Sequence, residues 1–207
     1  MKETKPYINF WPSFTDILAA LLIIIIIYFI VNILDLRKKY EILGNYEKDR
    51  DELIEMIKKE PLLSEIIDHE KLNDKEKPAI LLKTDGFTFR INDYQLNKTQ
   101  IDNIEKLSQI YYQFLNRNDK YKSYSLMIIG HTDVTGPAEY NYELSKNRAE
   151  SIRQVFFTIL RDRNSYKVFS TGVGEYHLIN QNEPESDSNR CIEILLIPEK
   201  LIFSKSR

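Results

Sequence analysis

The hydrophobic pattern of the chain begins with one long apolar run near the N-terminus. Ile17 to Val31 contains no charged residue, and counted from Phe14 the run reaches the length of about 20 residues that a helix needs to cross a bilayer. A run of five consecutive isoleucines leaves no polar face, which argues against the core helix of a soluble domain. The run is longer than the apolar part of a signal peptide, and no small-x-small cleavage site follows it. We therefore predict an uncleaved transmembrane helix over 14–36.

The segment 37–77 is predicted to contain a juxtamembrane helix and a linker, and the stretch from Leu36 to Glu60 is rich in charge and in helix-forming residues. Apolar side chains recur there at roughly helical spacing, at Leu36, Tyr40, Leu43, Ile54 and Ile57. The spacing predicts a juxtamembrane helix, with Gly44–Asn45 as a candidate break, while charged residues interrupt the heptads that a long coiled coil requires. Pro61 and the charged stretch from His69 to Lys77 then indicate a solvated linker.

From Pro78 onward short apolar runs alternate with amphipathic ones. The runs typical of strands are 79–83, 87–89, 125–129, 168–171 and 191–197, and those typical of helices are 98–115 and 140–160. This alternation predicts βαβ units, with the last strand able to join the sheet as an antiparallel member. The predicted fold is a single N-terminal transmembrane helix followed by an α/β domain, an α+β sandwich with one mixed sheet, over 78–200. Residues 1–13 form the N-terminal segment and 201–207 a tail.

Composition and charge narrow the range of functions. The formal net charge is −2 and opposite charges are mixed along the chain, so no basic face is available to neutralise a nucleic acid backbone. Cys191 is the single cysteine, which excludes an intramolecular disulfide framework and a multi-cysteine metal site. His69, His131 and His177 fit no metal-ligand spacing. We therefore expect no nucleic acid partner, no metal and no cofactor.

Candidate chemistry lies where a buried strand runs into a glycine-containing loop and then a helix, because open α/β sheets place ligand sites at such points. Asp133 stands at the end of the predicted strand, and Arg148 lies one to two turns into the following helix. If both face one pocket, the carboxylate suits an ammonium and the guanidinium suits a carboxylate, as in a zwitterion. A structural salt bridge between these two residues is the alternative.

The same stretch resembles the OmpA-like peptidoglycan-binding domain. The matching positions are Gly130, Thr132, Asp133, Gly136, Asn141, Leu144, Ser145, Arg148 and Ala149, and Gly172–Glu175 and Asn189–Glu193 resemble two further elements of that family. The resemblance implies that Asp133 and Arg148 hold the diaminopimelate of a peptidoglycan stem peptide, and that Thr132, Asn141 and Leu144 also belong to the binding site. A helix start and an apolar core explain Asn141, Leu144 and Ser145 equally well. The sequence departs from the family pattern at Asn147 and Cys191, and we expect Cys191 to be a core residue and His131 to have no special role.

Asp16 is the candidate functional residue of the apolar segment. A carboxylate at membrane depth is costly and usually faces a protein interior or a water path. Ala19 and Ala20, at i+3 and i+4, leave room for another helix on that face. Because Asp16 is only about one turn from Trp11, the alternative is an N-cap or interfacial residue that reaches water.

The layout of one membrane helix, a linker and an OmpA-like domain resembles MotB-type stator subunits. The stretch from Phe10 to Asp16 is similar to the entry segment of that class, which includes the B subunits of Zorya-type phage-defence motors. This resemblance implies an ion-carrying role for Asp16 in a homodimer inside a ring of multi-helix A subunits, expected to be pentameric. A passive tether to peptidoglycan is the competing interpretation. We expect no enzymatic activity, since no nucleophile and base stand together in a catalytic pattern.

The resemblance also implies a location in the bacterial inner membrane, with the N-terminus in the cytoplasm and the C-terminal domain in the periplasm. Charge counting mildly favours the opposite orientation, because Arg37, Lys38 and Lys39 follow the apolar run whereas Lys2 and Lys5 precede it. We expect the C-terminal domain in the periplasm despite this count, because the peptidoglycan that it is expected to bind lies there.

Overall fold

The computed structural model describes residues 11–64, 67, 79–82, 89, 93–160 and 167–199. The helices are α1 (Trp11–Lys58), α2 (Pro61–Ser64), α3 (Lys98–Arg117) and α4 (Ala138–Leu160). The strands are β1 (Ala79–Leu82), β2 (Tyr124–His131), β3 (Lys167–Gly174) and β4 (Ile192–Pro198). Short 3-10 turns at Asp119–Ser123 and Asp187–Asn189 precede β2 and β4. Most of the strand predicted at 87–89 lies outside the described residues.

The apolar part of α1 belongs to a compact unit that ends at Glu47. A window of 18 residues in this helix has a mean hydropathy of 3.2, and none of it is buried. By length and composition this helix can cross a membrane. Asp16 lies inside the helix, five residues after Trp11, with its side chain exposed. The N-cap interpretation of Asp16 is therefore wrong, because an N-cap residue precedes the first helical residue.

The last turns of α1 belong to a second compact unit, which begins at Lys48. The helix runs through Gly44–Asn45 without the break considered from the sequence, and it ends at Lys58, before Pro61. Leu53, Ile54 and Ile57 are at most 5% exposed. The core of the C-terminal unit thus includes a segment that the sequence assigns to the region before the domain.

The sheet has four strands in the order β1-β4-β2-β3. β2 and β3 are parallel, as expected for two strands joined through a helix, and β4 lies antiparallel to both β1 and β2. Ile128 of β2 pairs with Ile194 of β4, and both are buried. The predicted mixed sheet with an antiparallel last strand is confirmed.

The core lies between the sheet and α3 and α4. α4 packs against β2 and β3, and α3 packs against α4. α3 begins with a capping box, in which the Gln100 backbone N–H donates to Asn97 Oδ1 at 2.9 Å and the Asn97 N–H donates to Gln100 Oε1 at 2.8 Å. Deeply buried apolar side chains of these elements include Ile104, Tyr111, Phe114, Leu115, Leu126, Ile128, Ile152 and Phe156. Burial of this apolar surface is the main source of the domain's stability.

Two glycines let α4 lie directly on the sheet. A Cβ at Gly130 would stand 2.0 Å from the backbone oxygen of Ser145, and one at Gly172 would stand 2.3 Å from the backbone nitrogen of Lys146. Ser145 fastens the same contact, since its hydroxyl donates to the Tyr142 carbonyl at 2.7 Å and accepts from the Gly174 N–H at 2.9 Å. These contacts fix the position of the first turns of α4, which carry Arg148.

Candidate functional site

The candidate site is built on the loop that follows β2. The backbone N–H of His131 donates to the Cys191 carbonyl at 3.0 Å, and that of Thr132 donates to the Gly174 carbonyl at 3.1 Å. The end of β2 is therefore fastened to the end of β3 on one side and to the residue before β4 on the other. Asp133 comes next in the chain, before the loop enters α4 at Ala138.

A cavity of about 120 Å³ opens at this loop. Its lining residues are Thr132, Asp133, Thr135, Asn141, Leu144, Arg148 and Arg190. The structure thus brings together all five residues of the predicted binding site in the C-terminal domain, and it adds Thr135 and Arg190.

Asp133 is held from two directions. Its side chain is 7% exposed; Oδ1 accepts from the Thr135 backbone N–H at 2.9 Å, and Oδ2 accepts from Arg190 Nη1 at 2.7 Å. Among the described residues, the ion pair of Asp133 is with Arg190 and not with Arg148. The alternative of a structural salt bridge between Asp133 and Arg148 is therefore wrong.

Arg148 is a deeply buried cation on the same cavity. It is 2% exposed, its Nε donates to the Asp93 carbonyl at 3.1 Å, and its guanidinium carbon lies 5.0 Å from the ring centroid of Phe89. Burial, followed by the positive charge of Arg190, lowers the pKa of Arg148 to about 10. Arg148 remains charged at neutral pH, and an anion that entered the cavity would stabilise this charge.

Three further lining residues have distinct surroundings. Asn141 Nδ2 lies within hydrogen-bond distance of the Asp133 carbonyl at 3.3 Å, the Thr135 carbonyl at 3.2 Å and Glu175 Oε2 at 2.7 Å, so this residue holds the loop in place. Leu144, 8% exposed, forms an apolar wall. Thr132 is 2% exposed, and its hydroxyl oxygen has no hydrogen-bond partner among the described residues. A buried hydroxyl without a partner is costly, and a ligand atom in the cavity would satisfy it.

His131 and Cys191 lie behind the site. The His131 ring nitrogens stand 2.9 Å from the His177 carbonyl and 3.1 Å from Glu193 Oε2, and the residue is 1% exposed. These contacts tie β2 to β4 and to the loop after β3. Cys191 is 4% exposed, so the expectation that it is a core residue is confirmed.

Arg190 is the charged lining residue that sequence reasoning missed, and Thr135 is the uncharged one. Arg190 precedes β4, and the antiparallel pairing of Gly130 with Ile192 brings the start of β4 beside the end of β2. Two observations could have indicated that Arg190 belongs to the site: it lies in the family-like stretch Asn189–Glu193, and the last strand is expected to be antiparallel. Their use requires the strand order, which periodicity does not provide.

Comparison with known proteins places the chain in a family. Residues 88–191, half of the chain, match the OmpA family. Outer membrane protein A of Buchnera aphidicola is 33% identical over 133 residues, which cover 63% of this chain and 35% of that protein. Outer membrane protein A of Serratia marcescens is 27% identical over 59% of this chain and 34% of that protein. The chain therefore spans about a third of the length of these relatives.

A solved structure supports the fold independently. The crystal structure of a putative MotB-like protein from Desulfovibrio vulgaris matches with a TM-score of 0.55 and 16% identity, over 76% of this chain and 97% of that one. At this level of identity the likeness concerns the fold alone. The match over residues 88–191, half of the chain, shows that the chain belongs to the OmpA family.

Proposed function

We propose that the C-terminal domain binds peptidoglycan by holding the zwitterionic end of a diaminopimelate side chain. The observation that carries this proposal is the cavity in which Asp133 and Arg148 are both buried beside the Thr132 hydroxyl, which has no hydrogen-bond partner among the described residues. The ligand ammonium binds Asp133, and the ligand carboxylate takes two parallel hydrogen bonds from Arg148. Because Asp133 and Arg148 are almost fully buried, these contacts are stronger than at the surface.

A sedimentation assay with isolated sacculi tests this binding mode. The full chain in detergent should sediment with diaminopimelate-type sacculi. We expect Asp133→Asn and Arg148→Gln each to reduce the bound fraction by at least tenfold, since each leaves one buried ligand charge without a partner. Arg117→Gln is the matched control: this arginine is 54% exposed, on α3, and does not line the cavity.

Sacculi that contain lysine in place of diaminopimelate provide a second comparison. Lysine has the side-chain ammonium but lacks the adjacent carboxylate, so the ligand offers no anion to Arg148. The chain should bind these sacculi much more weakly. Equal retention on both kinds of sacculi, or unchanged retention of the Asp133→Asn and Arg148→Gln variants, would contradict the proposal.

For the whole chain we propose the role of a B-type subunit of an ion-driven motor in the bacterial inner membrane. The apolar stretch of α1, with its mean hydropathy of 3.2, and the position of Asp16 inside that helix support this role. The proposed assembly is a homodimer with the N-terminus in the cytoplasm and the C-terminal domain in the periplasm. Multi-helix A-type subunits, five in number, surround the dimer, and wall binding holds it still.

Asp16 is the proposed ion carrier. Binding of an ion neutralises its charge at membrane depth, and that change drives a step of the surrounding ring. A passive tether is the second candidate, because Asp16 lies only five residues after Trp11, near the start of α1, where a carboxylate can lie at the membrane–water interface. A role in phage defence, as in Zorya-type motors, is part of the motor proposal.

Asp16→Asn separates the motor from the tether. In cells that also express the multi-helix partner, the motor proposal predicts loss of ion flux and of protection in a plaque assay, with sacculus retention unchanged. Asp35→Asn is the matched control, since Asp35 lies at the other end of the apolar stretch in an exposed pair with Lys39 at 2.8 Å. Unchanged ion flux in Asp16→Asn would leave only the tether.

A further inference from the structure

Arg190 is the charged residue of the cavity to which the proposed binding mode gives no direct contact with the ligand. Both Arg148 and Arg190 line the cavity, whereas Asp133 is the one carboxylate among the lining residues that the structure describes. The lining therefore carries one positive charge in excess. A ligand with one ammonium and one carboxylate has no net charge and leaves that excess in place.

Arg190 has hydrogen-bonding capacity left for a ligand. A guanidinium has five N–H donors. Nη1 donates to Asp133 at 2.7 Å and Nη2 contacts Asp187, while the other donors have no partner in the described part of the chain. Asp187 is 72% exposed and does not line the cavity, so water screens its pair with Arg190.

The two guanidiniums also influence each other. The charge of Arg190 is, after burial, the largest cause that lowers the pKa of Arg148. Like charges that share a partly desolvated cavity repel each other. A second anionic group on the ligand would relieve this repulsion, and Arg190, 32% exposed at the cavity wall, is placed to receive it.

We propose that Arg190 binds a second carboxylate, so that the site selects a diamino acid whose two carboxylates are both free. This inference rests on the proposed function and specifies which form of the stem peptide the site prefers. Diaminopimelate carries one free carboxylate at its side-chain end. Its other carboxylate is free only where diaminopimelate is the last residue of the stem, and it becomes an amide when D-alanine follows. The preferred ligand is therefore a stem that ends in diaminopimelate.

Calorimetry with three synthetic peptides tests this selectivity on the full chain in detergent. The first peptide is L-alanyl-γ-D-glutamyl-diaminopimelate. In the second peptide, a carboxamide replaces the carboxylate to which D-alanine would be joined, and in the third peptide D-alanine is joined there. The first should bind about tenfold more tightly than either of the others, a factor that corresponds to about 1.4 kcal/mol. The carboxamide removes the charge without adding bulk, so it separates charge recognition from steric exclusion.

Variants of Arg190 distinguish ligand binding from a merely structural role. Arg190→Gln should reduce the tenfold preference to less than about twofold, and Arg190→Lys should retain part of it because the charge remains. If Arg190 only positioned Asp133, Arg190→Gln would weaken all three peptides by the same factor. Arg117→Gln should leave the preference unchanged.

The outcomes separate this inference from the proposed function. Equal affinity of the native chain for all three peptides would overturn the role of Arg190 and leave wall binding intact. If Arg190→Gln still preferred the first peptide tenfold, the role of Arg190 would be overturned as well. Binding of none of the peptides, together with no retention on sacculi, would overturn both proposals. The native comparison needs no variant, so a folding defect in Arg190→Gln does not affect it.

Discussion

Glu150 shows how one side chain joins α4 to the sheet. Its oxygens accept from Arg153 Nη2 at 2.6 Å and Nε at 2.7 Å, and Oε2 also accepts from the Ser170 hydroxyl of β3 at 2.7 Å. These contacts, the hydrogen bond from Arg153 first, lower the pKa of Glu150 to about 2. The ionised carboxylate is therefore the form that the fold requires.

The lowered pKa predicts a pH-dependent loss of stability. In the unfolded chain a glutamate titrates near 4.3, so the contribution of Glu150 is fully present above about pH 4.5 and is lost as the pH falls towards 2. The side chain is 34% exposed, so solvent screening reduces the contribution to about 1 kcal/mol. Glu150→Gln should lower the free energy of unfolding by this amount at pH 7, in urea titrations of the full chain, and by less at pH 3.

Glu143→Gln is the matched control for Glu150. Glu143 forms an i,i+3 pair with Lys146 on the same helix, but at 3.4 Å and with both side chains more than half exposed. We expect its replacement to change stability by less than about 0.5 kcal/mol at any pH. A difference between the native chain and Glu150→Gln that does not narrow below pH 4.5 would contradict the assignment.

The residues of the cavity divide into those that sequence can identify and those that it cannot. Thr132, Asp133, Asn141, Leu144 and Arg148 belong to one continuous strand-loop-helix stretch, so their proximity follows from local structure. Arg190 reaches Asp133 across 57 positions of sequence, through the register between β2 and β4. Register depends on how whole strands pair, and no local pattern around Arg190 specifies it. The binding roles of the five predicted residues stay predictions.

At the scale of elements, the close packing of α4 on the sheet depends on Gly172. A Cβ there would stand 2.3 Å from both the Lys146 backbone nitrogen and the Ser145 hydroxyl oxygen. Backbone atoms of a packed helix cannot give way by an ångström, so Gly172→Ala must push α4 outward. We expect a loss of about 2–3 kcal/mol in stability, typical of overpacking, and weaker sacculus binding because Arg148 moves with the helix.

Gly44→Ala is the control for the glycine substitution. Nothing lies within 4 Å of a Cβ at Gly44, and this residue is inside α1. The replacement should leave stability unchanged or raise it by up to about 1 kcal/mol, as alanine favours helix more than glycine does. Thermal unfolding of both variants measures the change in melting temperature. An equal change in Gly44→Ala and Gly172→Ala would exclude steric packing as the reason for glycine at position 172.

The elements themselves follow largely from periodicity. The predicted helix over 98–115 is observed as Lys98–Arg117, and the predicted strand over 168–171 as Lys167–Gly174. The candidate break at Gly44–Asn45 is wrong for a physical reason: one glycine costs a helix only about 1 kcal/mol, which the surrounding helix formers offset. The close contact of Gly130 and Gly172 with α4 has no signature in periodicity, because it depends on the distance between two layers.

At the scale of the whole molecule, the last turns of α1 belong to the C-terminal unit, where charged side chains hold them to the end of α3 and the start of β2. Asp49, 5% exposed, accepts from the Tyr124 hydroxyl at 2.8 Å and from Lys120 Nζ at 2.7 Å. Glu52 accepts from Arg117 Nη1 at 2.7 Å and from the Tyr121 hydroxyl. The sequence predicts a domain over 78–200 with a linker before it, and these bounds stay predictions. The packing of residues 48–58 could not be predicted, because it depends on contacts between residues that are far apart in sequence.

This arrangement predicts that Asp49 holds the end of α1 on the domain. Asp49→Ala removes the hydrogen bonds from the Tyr124 hydroxyl and from Lys120, a loss of about 1–3 kcal/mol, so residues 48–58 should detach more often. Hydrogen exchange in this segment should accelerate by at least fivefold, while α4 remains as protected as in the native chain. Glu55→Ala is the matched control, because Glu55 is 63% exposed and pairs only with Lys58 among the described residues. Equal acceleration of exchange in α4 and in 48–58 would contradict this prediction. The two segments would then unfold together, and the last turns of α1 would be an integral part of the domain core.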